Sequence, residues 1–178
     1  MILNRSKKFA SGFTLIELLV VIAILGVLAA AILVALNPLE QLARARDAGR
    51  KTTVDQLGHA MESYYATQNA TYVTPVDNTW MTKLQTAGEL KNIPSNPNST
   101  GYTAGCNTAS VAQSGYCYQS NATDAVIYTR AESQSSKSTG LCAGTQVAWI
   151  AWSSAEGKTG VICLPLNSDP AAGQVGLK

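Results

Sequence analysis

The chain has 178 residues, of which 46% are hydrophobic and 13% charged, with a formal net charge of +2. That length holds one domain or two, and so small a charge excludes a strongly basic nucleic-acid binder and an acidic disordered tail. A single histidine, His59, argues against His-dependent catalysis and His-rich metal sites.

Residues 1–12 read MILNRSKKFASG, with Arg5, Lys7 and Lys8 and no acid. From Phe13 to Leu36 the chain is apolar except for Glu17. As a helix this run is roughly 36 Å long, enough to cross a hydrocarbon core of about 30 Å. The basic flank predicts that residues 1–12 stay on the cytoplasmic side. A secretory signal peptide would have an apolar run of about 7–15 residues ending in a small-x-small site. Ala35-Leu36-Asn37-Pro38 is not such a site. A plain signal anchor leaves Glu17 unexplained. A carboxylate inside a bilayer costs at least about 2.5–3.5 kcal/mol, and such a residue usually has a partner and a task. One helical turn away stand Phe13 and Val21, neither of them basic. A cut just before Phe13 would create an α-amino group four residues upstream, able to neutralise Glu17 within the chain or between copies.

Lys7-Lys8, Gly12 and Phe13-Thr14-Leu15-Ile16-Glu17-Leu18-Leu19, taken in order, resemble the prepilin leader of type IV pilins and type II secretion pseudopilins. The close resemblance covers residues 5–36, and a looser one continues to about Ala66. It implies that a membrane-embedded aspartic peptidase cuts after Gly12 and methylates the new N-terminal Phe13. It also implies that Glu17 registers one subunit against the next. The residue types suit these roles. Gly12 lets the backbone lie close in a protease cleft. An unpaired Glu17 in a bundle of apolar helices would be heavily penalised, so pairing with a neighbour's ammonium group selects one register more than it adds stability.

Pro38 lacks an N–H and crowds the carbonyl of Val34, which predicts a helix kink there rather than a stop at Asn37. The resemblance, in which a proline or glycine marks a bend of this helix, makes Gly26 a second candidate. Leu39 to about Ala66 reads as an amphipathic half-helix. Leu39 and Leu42 begin a stripe that Val54, Leu57, Met61, Tyr64 and Tyr65 continue. Arg44, Arg46, Asp47, Arg50, Lys51, Asp55 and Glu62 are assigned to a solvated face, because four acids match four bases in this stretch. Gly49 and Gly58 weaken the helix in isolation and imply tertiary support. His59 is read as a surface or boundary residue.

Residues 67–178 are rich in Ser, Thr, Asn, Gln, Gly and Ala, with six acids and six bases. Strand-like runs occur at Tyr116–Gln119, Asp124–Glu132, Gln146–Ser153 and Thr159–Leu164. The last two, joined by Ser153–Lys158, read as a hairpin. Trp80–Gly88 reads as a short helix and Asn92–Gly105 as a loop. The expected fold class is α+β, a long N-terminal helix on a small antiparallel sheet. The segments are a cleaved leader (1–12), a transmembrane or filament-core helix (13–38), an amphipathic half-helix (39–66) and a globular head (67–178).

Cys106, Cys117, Cys142 and Cys163 all fall in the head, and an even count in an exported segment points to disulfides. Three pairings are possible. Cys106–Cys117 with Cys142–Cys163 is preferred because both close local loops and the second brackets the hairpin. Zinc is the weaker rival, since no CxxC pair occurs. Ile93-Pro94-Ser95-Asn96-Pro97-Asn98 resembles the loop before the sheet of major pseudopilins, near a calcium site. Asn96 stands where the acid would be, so no metal is assigned. The triplets Asn69-Ala70-Thr71, Asn98-Ser99-Thr100 and Asn121-Ala122-Thr123 are read as chance glycosylation matches. Ser133–Ser138 is read as an exposed loop.

The resemblance implies a filament subunit, serving adhesion, motility or DNA uptake in a pilus, or protein export as a pseudopilin. Its expected partners are other pilin subunits, the prepilin peptidase, and an assembly platform protein with its ATPase. Membrane lipid is the partner before assembly; nucleic acid is not indicated. The precursor is expected as a single-pass inner or cytoplasmic membrane protein with its head outside, and the mature form in an extracellular or periplasmic filament. An uncleaved anchored binding domain is the second class. An anchored enzyme is the third, with no triad, phosphate loop, metal quartet or cofactor motif to support it.

Overall fold

A computed structural model of the chain describes residues 12–76, 78–97, 105–106, 110–137 and 141–178. The leader residues Arg5, Lys7 and Lys8, the triplet Asn98-Ser99-Thr100, most of the loop after Pro97, and Ser138 lie outside the described residues. The chain divides into two compact units between Pro38 and Leu39.

The first unit holds helix α1, Leu15–Leu36. Apart from Glu17 its residues are apolar all round, and none of them is buried. A helix of that kind is suited to lipid or to other helices rather than to water. The segment is long and apolar enough to cross a membrane. It ends at Asn37, whose left-handed backbone (φ 41°) forms the C-cap. Helix α2 then runs Pro38–Thr67. The helix thus stops at Asn37 where a kink at Pro38 was expected, and Pro38 stands at the first position of a new helix, where its missing N–H costs no hydrogen bond.

The second unit is built on a five-stranded antiparallel sheet in simple chain order. Its strands are β1 (Val111–Gln113), β2 (Tyr116–Ser120), β3 (Ala125–Arg130), β4 (Gln146–Ser153) and β5 (Lys158–Pro165). Helix α3 (Trp80–Thr86) and a single turn, α4 (Gln134–Lys137), complete it. The expected α+β architecture and the β4–β5 hairpin are present, the latter with Ile150 opposite Val161. The three-residue β1 carries too short a pattern to be read from sequence.

β4 is buried from Val147 to Ser153 and is the centre of the unit. Its side chains alternate between two clusters, as period-two geometry requires. Ala148, Ile150 and Trp152 face one side, with Val54, Leu57 and Met61 of α2 and Trp80, Met81 and Leu84 of α3. Val147, Trp149 and Ala151 face the other, with Tyr128, Ile162 and Leu177. Two disulfides join Cys106 to Cys117 and Cys142 to Cys163.

Two sequence expectations about α2 fail. Leu39 and Leu42 do not start the buried stripe; they are 76% and 55% exposed. Asp47 and Arg50 are not on a solvated face; they are 6% and 0% exposed. The buried row runs Ala43, Asp47, Arg50, Val54, Leu57 and Gly58, Met61, so the ionic pair lies in line with the apolar residues. Ser133–Ser138 is not simply an exposed loop either: Ser133 is buried and Gln134–Lys137 is helical.

Gly58 has a packing role. A Cβ placed on it would lie 2.4 Å from Cγ and Cδ1 of Trp152. The bare backbone of α2 therefore lets the fully buried indole lie against the helix. At Gly49 the same added carbon meets nothing within 4 Å.

Candidate processing and registration site

The residues expected to be processed stand at the entrance to α1. Gly12, Phe13 and Thr14 are outside the helix and exposed, with Phe13 83% exposed. Thr14 is the N-cap and closes a capping box with Glu17. The Glu17 N–H donates to Thr14 Oγ1 at 3.2 Å. In return, Glu17 Oε2 accepts the Thr14 N–H at 2.9 Å and its hydroxyl at 2.8 Å. This arrangement satisfies donors that a helix N-terminus leaves open, and it sets a negative group at the positive end of the helix dipole.

The lone carboxylate of the apolar helix is thus held at its first turn, four residues after Phe13. Phe13, Ile16, Val20 and Val21 surround it with apolar surface. Sequence reasoning found Glu17 and asked what neutralises it. It missed Thr14, although a threonine three residues before a glutamate at the start of an apolar run is a capping-box signature.

The second cluster of charged residues lies in the head and holds it together. Arg50 Nε donates to Asn96 Oδ1 at 2.8 Å. Its Nη1 reaches Asp47 at 2.8 Å, and its Nη2 reaches Glu132 at 3.1 Å and the Pro97 carbonyl. Asn96 in turn donates to the Gly115 carbonyl at 2.7 Å and to Thr129 Oγ1 at 2.9 Å. One buried guanidinium therefore ties α2 to the loop before the sheet, and through Asn96 to the β1–β2 turn and β3. Here Asn96 is a hydrogen-bonding relay, engaged on both ends of its amide.

Next to it, four consecutive backbone N–H groups point at two acids of α2. Those of Glu132 and Ser133 bond Asp47 at 2.8 to 3.1 Å. Those of Gln134 and Ser135 bond Glu40 at 2.9 and 3.0 Å. The Gln134 and Ser135 amides, with Arg44 beside them, hold the Glu40 carboxyl well below the usual range, at about 2. Arg46 adds a two-pronged pair with Glu132. Among the described residues no group of three or more His, Cys, Asp or Glu side chains is arranged to hold a metal ion.

Residues 7–33 match the family model described as the prokaryotic N-terminal methylation motif. The motif is a type IV pilin and pseudopilin signature, and it spans the proposed junction and most of α1. No curated protein and no solved structure matches the chain.

Proposed function

We infer that this chain is the precursor of a filament subunit, cut between Gly12 and Phe13, methylated on Phe13 and polymerised through α1. The observation that carries the reading is the overlap of the methylation motif with an apolar 22-residue helix whose single carboxylate is held at its first turn. Before assembly, α1 lies in lipid with the head outside the cytoplasm. Afterwards α1 packs against α1 of other subunits. Burial moves from lipid to protein, so the hydrophobic effect gives little net drive. Side-chain packing supplies specificity, and an assembly ATPase acting through a platform membrane protein supplies work.

Glu17 fixes the register in this scheme. In the mature chain its carboxylate sits close to where a new ammonium group forms, its own or a neighbour's. A wrongly placed subunit would bury the charge without a cation, a large penalty in a low-dielectric bundle. Thr14 holds the carboxylate at the helix terminus until that partner arrives.

Between the two branches, the pilus subunit is our reading. Two disulfides and a near-neutral, polar head suit a subunit exposed outside the cell. The pseudopilin branch takes its support from the Pro94–Pro97 loop, where Asn96 is engaged by Arg50 rather than left open to a cation.

The test is a pair of variants in cells with an active prepilin peptidase. Gly12→Val should leave the chain uncut. Glu17→Ala should be cut normally yet fail to enter filaments. A processed Gly12→Val chain would remove the cleavage assignment, and normal filaments from Glu17→Ala would remove the register argument.

A further inference from the structure

β5 is the last strand of the sheet, and its outer edge is covered at one residue. The Val161 N–H donates to the Lys178 carbonyl at 2.9 Å, and the Lys178 N–H donates back to Val161 at 3.0 Å. Antiparallel alternation puts the backbone groups of Thr159 and Cys163 on the same outward side. Among the described residues neither makes a backbone bond there. An eight-residue edge with one rung filled is a template for another strand.

The covering segment, Gln174–Lys178, has a seat shaped for it. Glu156, in the β4–β5 turn, accepts the Gly176 and Leu177 N–H groups at 3.0 Å each. Those amides lower its carboxyl below the ordinary value. Ser153 Oγ donates to the Gln174 carbonyl at 2.6 Å. Leu177 is buried in the second cluster. On Gly160 a Cβ would lie 2.7 Å from the Lys178 carbonyl oxygen and 2.9 Å from Leu177 Cβ, so a glycine admits the segment where a larger residue would push it off. The hold is nevertheless slight: one buried side chain, one rung and a few capping bonds, with Val175 60% exposed.

We propose that Gln174–Lys178 is a removable cover for the β5 edge, and that the strand beneath it fits β5 of a second copy of this chain. Two-fold pairing centred on Val161 brings each outward donor onto the matching acceptor. It sets Thr159 opposite Cys163 and Lys158 opposite Leu164, so no like charges meet. The cover stands without the filament reading; only its use, keeping crowded heads from joining edge to edge, rests on that reading.

The test uses the full chain in detergent micelles, by hydrogen exchange and sedimentation. Every variant carries the same α1, so differences report the edge, and no readout needs cleavage or filament growth. In Glu156→Gln the Val161 and Leu177 amides should exchange roughly tenfold to a hundredfold faster, while β3 is unchanged. Wild-type exchange at Val161 in this variant would overturn the cover. A chain ending at Gly173 should form a dimer at protein concentrations where the intact chain does not, with Val161 protection returning as the dimer forms. The same association state as the intact chain, with Val161 and Cys163 exchanging freely at every concentration, would overturn the second-copy assignment. If the shortened chain does not fold, Gly160→Val keeps the segment but blocks its seat, and the same two outcomes decide.

Discussion

Replacing Gly58 and Gly49 by alanine, one at a time, sets one chemical change against itself in a single helix. In an exposed helix interior Gly→Ala is worth about 1 kcal/mol of stability, from backbone entropy alone. Gly49 offers that case, because its added carbon would meet nothing within 4 Å. At Gly58 the carbon would fall 2.4 Å from the Trp152 ring, more than 1 Å inside an ordinary carbon contact of about 3.5–4.0 Å. The indole cannot swing away. It is fully buried on β4, paired with Ile127 on one side and Thr159 on the other. Either α2 lifts by about an ångström along its contact with Ile127 and Ile150, or the ring leaves its rotamer. Overpacking of this kind costs typically about 1–3 kcal/mol, and a fixed ring puts it near the upper end. After the propensity gain, Gly58→Ala should destabilise by about 2 kcal/mol. Gly49→Ala should stabilise by about 1 kcal/mol. At roughly 2–4 °C per kcal/mol, the two melting points should move in opposite directions and separate by roughly 6–12 °C. All three tryptophans lie in the head, so near-ultraviolet circular dichroism of the full chain in mild detergent reads head unfolding directly. A Gly58→Ala chain that melts at or above the wild type would refute the packing of α2 against Trp152.

Arg50→Met should destabilise the head by about 3–5 kcal/mol, because it leaves Asp47 buried without its cation and the half-buried Glu132 with Arg46 alone; urea midpoints measure it. Arg50→Lys should fail to restore stability, since an ammonium group cannot span Asn96, Asp47 and Glu132 as the planar fork does. The clasp of Glu40 on residues 134–135 is pH-dependent. Its carboxyl is depressed from 4.5 to about 2, so its contribution is complete above pH 4.5 and lost as pH falls towards 2. Protection of the Gln134 and Ser135 amides, relative to their intrinsic exchange at each pH, should fall across that window, and Glu40→Gln should abolish the pH dependence of that protection. Removing either disulfide should cost about 3 kcal/mol, slightly more for Cys142–Cys163, whose separation is 21 residues against 11 for Cys106–Cys117. Thermal melts of the two double-alanine variants would show it.

The apolar helix was legible because a long run with one charge has few physical readings. The β4–β5 hairpin was legible because its strands carry β-branched and aromatic residues around a turn containing Glu156-Gly157. Asp47 and Arg50 mislead because charge is usually a mark of exposure, although Asp47 lies four residues after Ala43, Arg50 three residues after Asp47 and Val54 four after Arg50, a spacing that sets both in the buried row. Only the tertiary partners, Asn96, Pro97, Glu132 and the amides after β3, reveal why that burial is tolerated, and these are 46 to 86 residues away in sequence. Gly58 carried the same ambiguity. A helical glycine can be a weakness or a seat, and the ring that fills the seat lies on a strand 94 residues later. At the proposed processing site every residue type was visible, and the capping box gives the threonine after Phe13 a structural role.

The central claim is tested most directly by the mass and N-terminal sequence of the chain recovered from sheared cell-surface filaments and from membranes. The sheared fraction should hold a mature chain beginning at N-methylated Phe13, with uncut precursor confined to membranes. The same mature chain found only in membranes would favour the pseudopilin branch. A chain that begins at Met1 in both fractions, in cells whose prepilin peptidase is active, would contradict processing at Gly12 and the filament built on it.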